Sequence, residues 1–60
     1  NINTDNKEKL MTLSGIGSSK ADAIIEYRTK NGNFKTTEDI MNVSGISKTT
    51  YDKIKDTITV

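Results

Sequence analysis

Two short runs carry residue types suited to holding an anion. Ser14-Gly15-Ile16-Gly17 leads into Ser18-Ser19-Lys20, and Ser44-Gly45-Ile46-Ser47 leads into Lys48-Thr49-Thr50. In each run small residues flank one isoleucine. The isoleucine can plug into a core while the flanking small residues let backbone N–H groups face outward. If a helix begins directly afterwards, its first amides lack internal partners and carry partial positive charge, so they can hold a phosphate oxygen. The chemistry on offer is binding, with Gly15, Ile16, Gly17, Ser18, Ser19 and Lys20 in the first site. Gly45, Ile46, Ser47, Lys48, Thr49 and Thr50 form the second.

The order of charges supports this reading. Asn6 and Thr36 stand where helix N-caps belong, followed by Glu8 and by Glu38 and Asp39, as the helix dipole favours. After the two runs the order is inverted: hydroxyls and lysines come first, and the first acids are Asp22 and Asp52. Lysine at a helix start is unfavourable by a few tenths to about 1 kcal/mol. A local rule broken twice in the same way points to a missing anionic partner. The bland alternative is that such turns merely end helices and that Lys20 and Lys48 are solvated; Lys7, Lys9, Lys30, Lys35, Lys53 and Lys55 do read as solvated. One departure separates the runs. Ser47 stands where Gly17 stands in the first, and its restricted φ makes the second turn the expected weaker contact.

The elements that must position these runs follow from an internal repeat. Shifting the chain by 30 positions aligns Leu10-Met11-Thr12-Leu13-Ser14-Gly15-Ile16-Gly17 with Ile40-Met41-Asn42-Val43-Ser44-Gly45-Ile46-Ser47. Glu8 falls on Glu38, Asp22 on Asp52 and Ile24 on Ile54, so one supersecondary unit is used twice. The pattern predicts a short helix near 7–13, a turn with glycine in left-handed backbone, and a second helix from Ser18 carrying Ala21, Ile24, Ile25 and Arg28. The copy predicts helices near 37–43 and from Lys48, the latter carrying Tyr51, Ile54 and Ile58. Asn31-Gly32-Asn33 reads as the connector, with Phe34 as a core plug. Tyr27, Tyr51 and Phe34 read as packing residues, too few for a single-strand stacking platform. No run alternates as a strand. The expectation is an all-α bundle of four to five short helices in one domain, unit one about 4–31 and unit two about 36–60, related by a pseudo-two-fold axis.

Composition narrows the function. Sixty residues form one small domain with a thin core, and the absence of cysteine and histidine removes disulfides and thiolate or imidazole zinc sites. Packed helices must supply the stability. A net charge of +1, from nine basic and eight acidic residues, means that any nucleic-acid binding needs locally concentrated charge. No run approaches the length of a membrane span, and no signal peptide is visible. The start at Asn1 rather than methionine reads as a segment of a longer protein.

With these residues in place, the hairpin Leu13-Ser14-Gly15-Ile16-Gly17 resembles the signature of the helix-hairpin-helix family, with Ser14 where proline is frequent. Ile2-Asn3-Thr4, the first hairpin, Ala21 with Ile24-Ile25-Glu26-Tyr27-Arg28, Asn31-Gly32-Asn33-Phe34 and Ile58-Thr59-Val60 together resemble the C-terminal domain of ComEA-type competence proteins, across essentially the whole chain. The resemblance implies a bundle of two helix-hairpin-helix units that binds DNA during uptake. It implies a membrane-anchored parent with this domain on the extracytoplasmic face of a bacterial membrane, passing DNA to uptake-channel proteins. Phosphate contacts map onto the backbone of Gly15, Ile16 and Gly17 with Lys20, and of Gly45, Ile46 and Ser47 with Lys48. No cofactor is expected; the monovalent cation that some members hold at a hairpin is neither required nor excluded by these residues.

Three functions from different classes stand side by side. The first is sequence-independent binding of double-stranded DNA through backbone phosphates. The second is a protein-interaction or scaffold module that keeps the fold without DNA; near-neutral charge and Ser47 favour it, and the repeated lysines oppose it. The third, an enzyme such as a base-excision glycosylase, is set aside because the chain has no histidine or cysteine and is too short to build a base pocket.

Overall fold

Asn6 opens the first helix by accepting the Lys9 amide on its side chain at 2.9 Å, one of the orphan donors of a helix start. Thr36 opens its counterpart, where the Asp39 carboxylate reaches back to accept the amides of Lys35 and Thr36 at 3.0 and 3.3 Å. The computed structural model describes residues 1–60 and contains helices and turns with no strand. Helix α1 spans Lys7–Leu10, α2 spans Ser18–Asn31, a 3-10 helix spans Thr37–Asn42, and α3 spans Lys48–Ile54. This is the all-α bundle expected from the repeat.

The core is the repeat turned inward. Leu10 and Ile40, Ile16 and Ile46, and Ile24 and Ile54 are all buried pairs, and buried Val43 corresponds to half-buried Leu13. Ile2, Ala21 and Phe34 complete the buried set, which contains no polar side chain. Burying each isoleucine, leucine or phenylalanine contributes about 1.5–3 kcal/mol, so few residues carry the stability. Tyr27 stacks on Phe34 with ring centres 5.3 Å apart, and the Tyr51 hydroxyl lies 3.2 Å from that of Thr37. All three aromatics therefore serve packing.

Three elements differ from the sequence reading. Helix α1 stops at Leu10 and continues as turns, with Leu13 donating to the Leu10 carbonyl at 3.1 Å. The first helix of unit two is of the tighter 3-10 type. Ile58 lies outside α3, which ends at Ile54. The Thr57 amide and hydroxyl both donate to the Ile54 carbonyl at 2.8 Å, closing the helix with a tight turn. Beyond it the chain leaves helical structure, and the Thr59 carbonyl accepts the Ile2 amide at 2.9 Å, tying the two ends together.

Candidate functional site

The turn at 14–17 is shaped by where positive φ falls. Gly15 has φ +78° and its counterpart Gly45 φ +91°, a left-handed conformation that a side chain would strain. Ile16 and Ile46, each 4% exposed, then drop into the core. Their amides point inward too, donating to the Leu13 and Val43 carbonyls at 3.1 Å. The expectation of outward N–H groups at these isoleucines is thus corrected: they are plugs that fix each turn. The outward amides belong to their neighbours.

Those neighbours have no acceptor within the chain. In the first turn they are Gly15 and Gly17, followed by Ser18, Ser19 and Lys20 in the opening turn of α2. In the second they are Gly45 and Ser47, followed by Lys48 and Thr49. Gly15, Gly17, Ser18 and Ser19 are exposed, as are Gly45, Ser47, Lys48 and Thr49; Lys20 and Thr50 are half-buried. Neither post-turn helix has an acid in its first turn. Each turn thus presents a cluster of amide dipoles to solvent, a geometry that favours negative charge.

Ser47 does not strain the second turn. Gly17 has φ −94° and Ser47 φ −93°, extended backbone open to any residue, and a methyl group at Gly17 would meet nothing within 4 Å. Only the first glycine of the Gly-x-Gly pair needs to be glycine, and the substitution at 47 is itself the sequence signal for this. Ser47 acts on the site differently: its hydroxyl oxygen accepts the Thr50 amide at 3.4 Å, capping α3 and withdrawing one donor. Gly17 offers α2 no such cap.

The lysines are also unequal. Lys48 extends into solvent and meets Asp52 at 3.5 Å, an i,i+4 pair that its spacing announces in the sequence. Lys20 has no ion-pair or hydrogen-bond partner for its ammonium among the contacts of the chain. Its stem instead crosses to the other unit, Cγ lying 3.9 Å from where a β-carbon on Gly45 would sit. Thr50, thirty positions later, does the same to the first unit, Cγ2 lying 3.9 Å from a β-carbon placed on Gly15. This reciprocity is what a two-fold relation between the units requires, and it sets the two turns side by side. Sequence reasoning did not foresee it.

A groove of about 300 Å³ runs beside the second turn, lined by Ala23, Glu26, Tyr27, Lys30, Asn31, Asn42 and Ser44. Lys30 donates to Glu26 at 2.8 Å there, which lowers the Glu26 pKa and raises that of Lys30, each through the hydrogen bond first and the opposite charge second. The chain holds no cluster of three or more histidine, cysteine or acidic side chains placed to bind a metal ion.

A pair of glycine-turned hairpins, each joining a short helix to a longer one and packed against its copy, defines a tandem helix-hairpin-helix domain. The helix-hairpin-helix motif family matches residues 1–59, and the chain belongs to it. Over its full length it is 57% identical to ComE operon protein 1 of Bacillus subtilis, of which it spans 29%. Over 97% of its length it is 46% identical to an uncharacterized protein of Haemophilus influenzae, spanning 53% of that protein. It is also 45% identical to part of the human endonuclease/exonuclease/phosphatase family domain-containing protein 1, where it spans 10%. The chain therefore corresponds to a fraction of each of these relatives.

Proposed function

We propose that this domain binds double-stranded DNA through its backbone phosphates, without reading base sequence. The observation that carries the reading is the pair of unpaired amide clusters, at Gly15, Gly17, Ser18, Ser19 and Lys20 and at Gly45, Ser47, Lys48 and Thr49, held side by side by the Lys20–Gly45 and Thr50–Gly15 contacts. Two such sites suit the two backbones that flank a minor groove about 6 Å wide. The domain, 24 by 21 by 18 Å, is broad enough to reach across it. Amide and lysine contacts to phosphate carry no base information, so affinity should fall with salt and vary little with sequence.

The similarity to ComE operon protein 1, together with the ComEA-type resemblance, supports a role in DNA uptake. In this reading a longer chain holds the domain outside a bacterial membrane and delivers DNA to channel proteins. No helix described in the structure is long and apolar enough to cross a membrane, so anchoring is assigned to the rest of that chain. The function proposed for the domain is binding rather than catalysis.

Titration of a labelled duplex at several salt concentrations tests the proposal. Roughly four phosphate contacts give a slope of log K against log salt near −4. A salt-independent affinity, or strong preference for one sequence, overturns it. Charge reversal at Lys20 and Lys48 together should abolish binding while the helical circular dichroism spectrum persists.

The net charge of +1 favours a second reading, a protein-interaction module. No duplex binding at low salt, with the fold intact, would select it.

A further inference from the structure

We propose that Asn31 is a site of spontaneous deamidation, controlled by opening of the last turn of α2. Its chemistry is independent of DNA binding. Asn1, Asn3, Asn6, Asn33 and Asn42 are each followed by a residue whose side chain shields the next amide nitrogen, and Asn31 alone is followed by glycine. Asn31 and Gly32 are both exposed, and a β-carbon placed on Gly32 would meet nothing within 4 Å. The Gly32 nitrogen is therefore open to base and to a neighbouring carbonyl carbon. The fold restrains the other asparagines further. The Asn3 carboxamide is bound to both backbone groups of Phe34, Asn6 caps α1, and the residues after Asn33 and Asn42 are buried.

The reaction needs only base and water. The Gly32 amide, its proton lost to base, attacks the Asn31 side-chain carbonyl carbon. The new carbon–nitrogen bond closes a cyclic imide, and the Asn31 side-chain nitrogen takes up a proton and leaves as ammonia. Water then opens the ring at either carbonyl, giving aspartate or the isoaspartate whose main chain runs through the side chain. No electrons are transferred. The folded helix opposes the first step. In helical backbone the Cα–Cβ bond tilts toward the N-terminus, away from the nitrogen of the next residue. The Asn31 side-chain amide is held in that direction, donating to the Tyr27 carbonyl at 3.2 Å, while the Gly32 amide donates to the Arg28 carbonyl at 3.1 Å. Only these bonds at an exposed helix end must open, and such ends fray at little cost. The product is a carboxylate at the C-terminal end of α2, where the helix dipole disfavours it, beside Glu26 and Lys30 on the wall of the groove. Nine basic residues then face nine acidic ones, eight plus the new one, and the net charge of +1 is lost.

Incubation of the folded chain in mildly alkaline buffer, followed by intact mass and peptide mapping with electron-transfer fragmentation, tests this. Aspartate and isoaspartate should accumulate at Asn31 ahead of every other asparagine. A peptide of residues 28–35, with no fold to protect it, should convert about tenfold faster than the folded chain. Urea below the unfolding transition should raise the folded-chain rate only slightly, because opening one turn exposes little surface. Asn31→Gln keeps the carboxamide but must close a larger ring, and should stay unmodified at that position. No product at Asn31 after the peptide has fully converted, or faster reaction at another asparagine, overturns the site. Equal rates in peptide and folded chain, or a rate that climbs with urea as steeply as global unfolding, overturns control by the last turn.

Discussion

Asn3 and Phe34 hold one another by two hydrogen bonds across 31 positions of sequence. The Asn3 carboxamide donates to the Phe34 carbonyl at 3.0 Å and accepts the Phe34 amide at 2.6 Å, satisfying both backbone groups of a buried residue. Beside them Arg28 donates to the Ile2 carbonyl at 2.9 Å, and the Ile2 amide reaches Thr59. The opening residues thus join the end of α2, the connector and the C-terminal segment. Asn3→Ala leaves a donor and an acceptor unpaired and should cost about 1–3 kcal/mol. Asn3→Asp keeps the shape but cannot donate to the Phe34 carbonyl, and should also destabilise. At this chain length each kcal/mol lowers Tm by about 4–8 °C, which calorimetry will resolve. An unchanged Tm for both variants would show that this clasp is dispensable.

The two kinds of glycine in the hairpins should respond unequally to a methyl group. Gly45→Ala forces alanine into φ +91° and should destabilise by about 1–2 kcal/mol through the backbone alone, since its β-carbon would make only ordinary contact with Lys20. Gly17→Ala, at φ −94° with open space around it, should cost only about 0.5 kcal/mol, the difference between glycine and alanine as N-caps. Urea denaturation of both variants checks the contrast. Equal losses would refute the assignment of turn geometry to the first glycine of each pair.

Several of these features are legible in the sequence because they are local. Asn6 and Thr36 announce helix starts, Gly15 and Gly45 announce left-handed turns, and the 30-residue offset pairs the residues that are buried together. Other features are not local. That α3 ends at Ile54 depends on Thr57 turning back to it and on the Thr59 carbonyl meeting Ile2. The inward direction of the Ile16 and Ile46 amides follows from the turn closing on Leu13 and Val43. The crossing of Lys20 to Gly45 is a product of how the units dock, and periodicity within one unit carries no trace of it.

The hydrogen-bonded pair of Glu26 and Lys30 sets a sign for acid behaviour. The Glu26 carboxyl titrates below its ordinary 4.5, so its contribution is present above that pH and lost as pH falls through the folded-state value. Lys30 titrates above 10.5, so its contribution is complete below that pH and lost as pH rises through the folded-state value. Both groups are solvent-exposed, so the effect is small. Glu26→Gln should lower Tm slightly at neutral pH, and the difference should vanish in strong acid, where the wild-type carboxyl is also protonated. A difference that grows on acidification would contradict the sign. Duplex affinity, by contrast, should be nearly flat between about pH 6 and 8, since the chain has no histidine and backbone amides do not titrate there.

Exchanging the N-cap residues of α2 and α3 separates helix stability from phosphate binding. Gly17→Ser gives α2 the cap that Ser47 gives α3, and its hydroxyl should accept the Lys20 amide as Ser47 accepts that of Thr50. Stability should rise by a few tenths of a kcal/mol while one amide is withdrawn from the first hairpin. Ser47→Gly does the reverse, releasing the Thr50 amide and losing the same few tenths. Duplex affinity should therefore move against stability in both single variants: weaker for Gly17→Ser, tighter for Ser47→Gly, each by about twofold to fivefold. Paired measurements of Tm and affinity decide the matter. If affinity instead follows stability, the hairpins bind through their rigidity and the count of open amides is irrelevant to them.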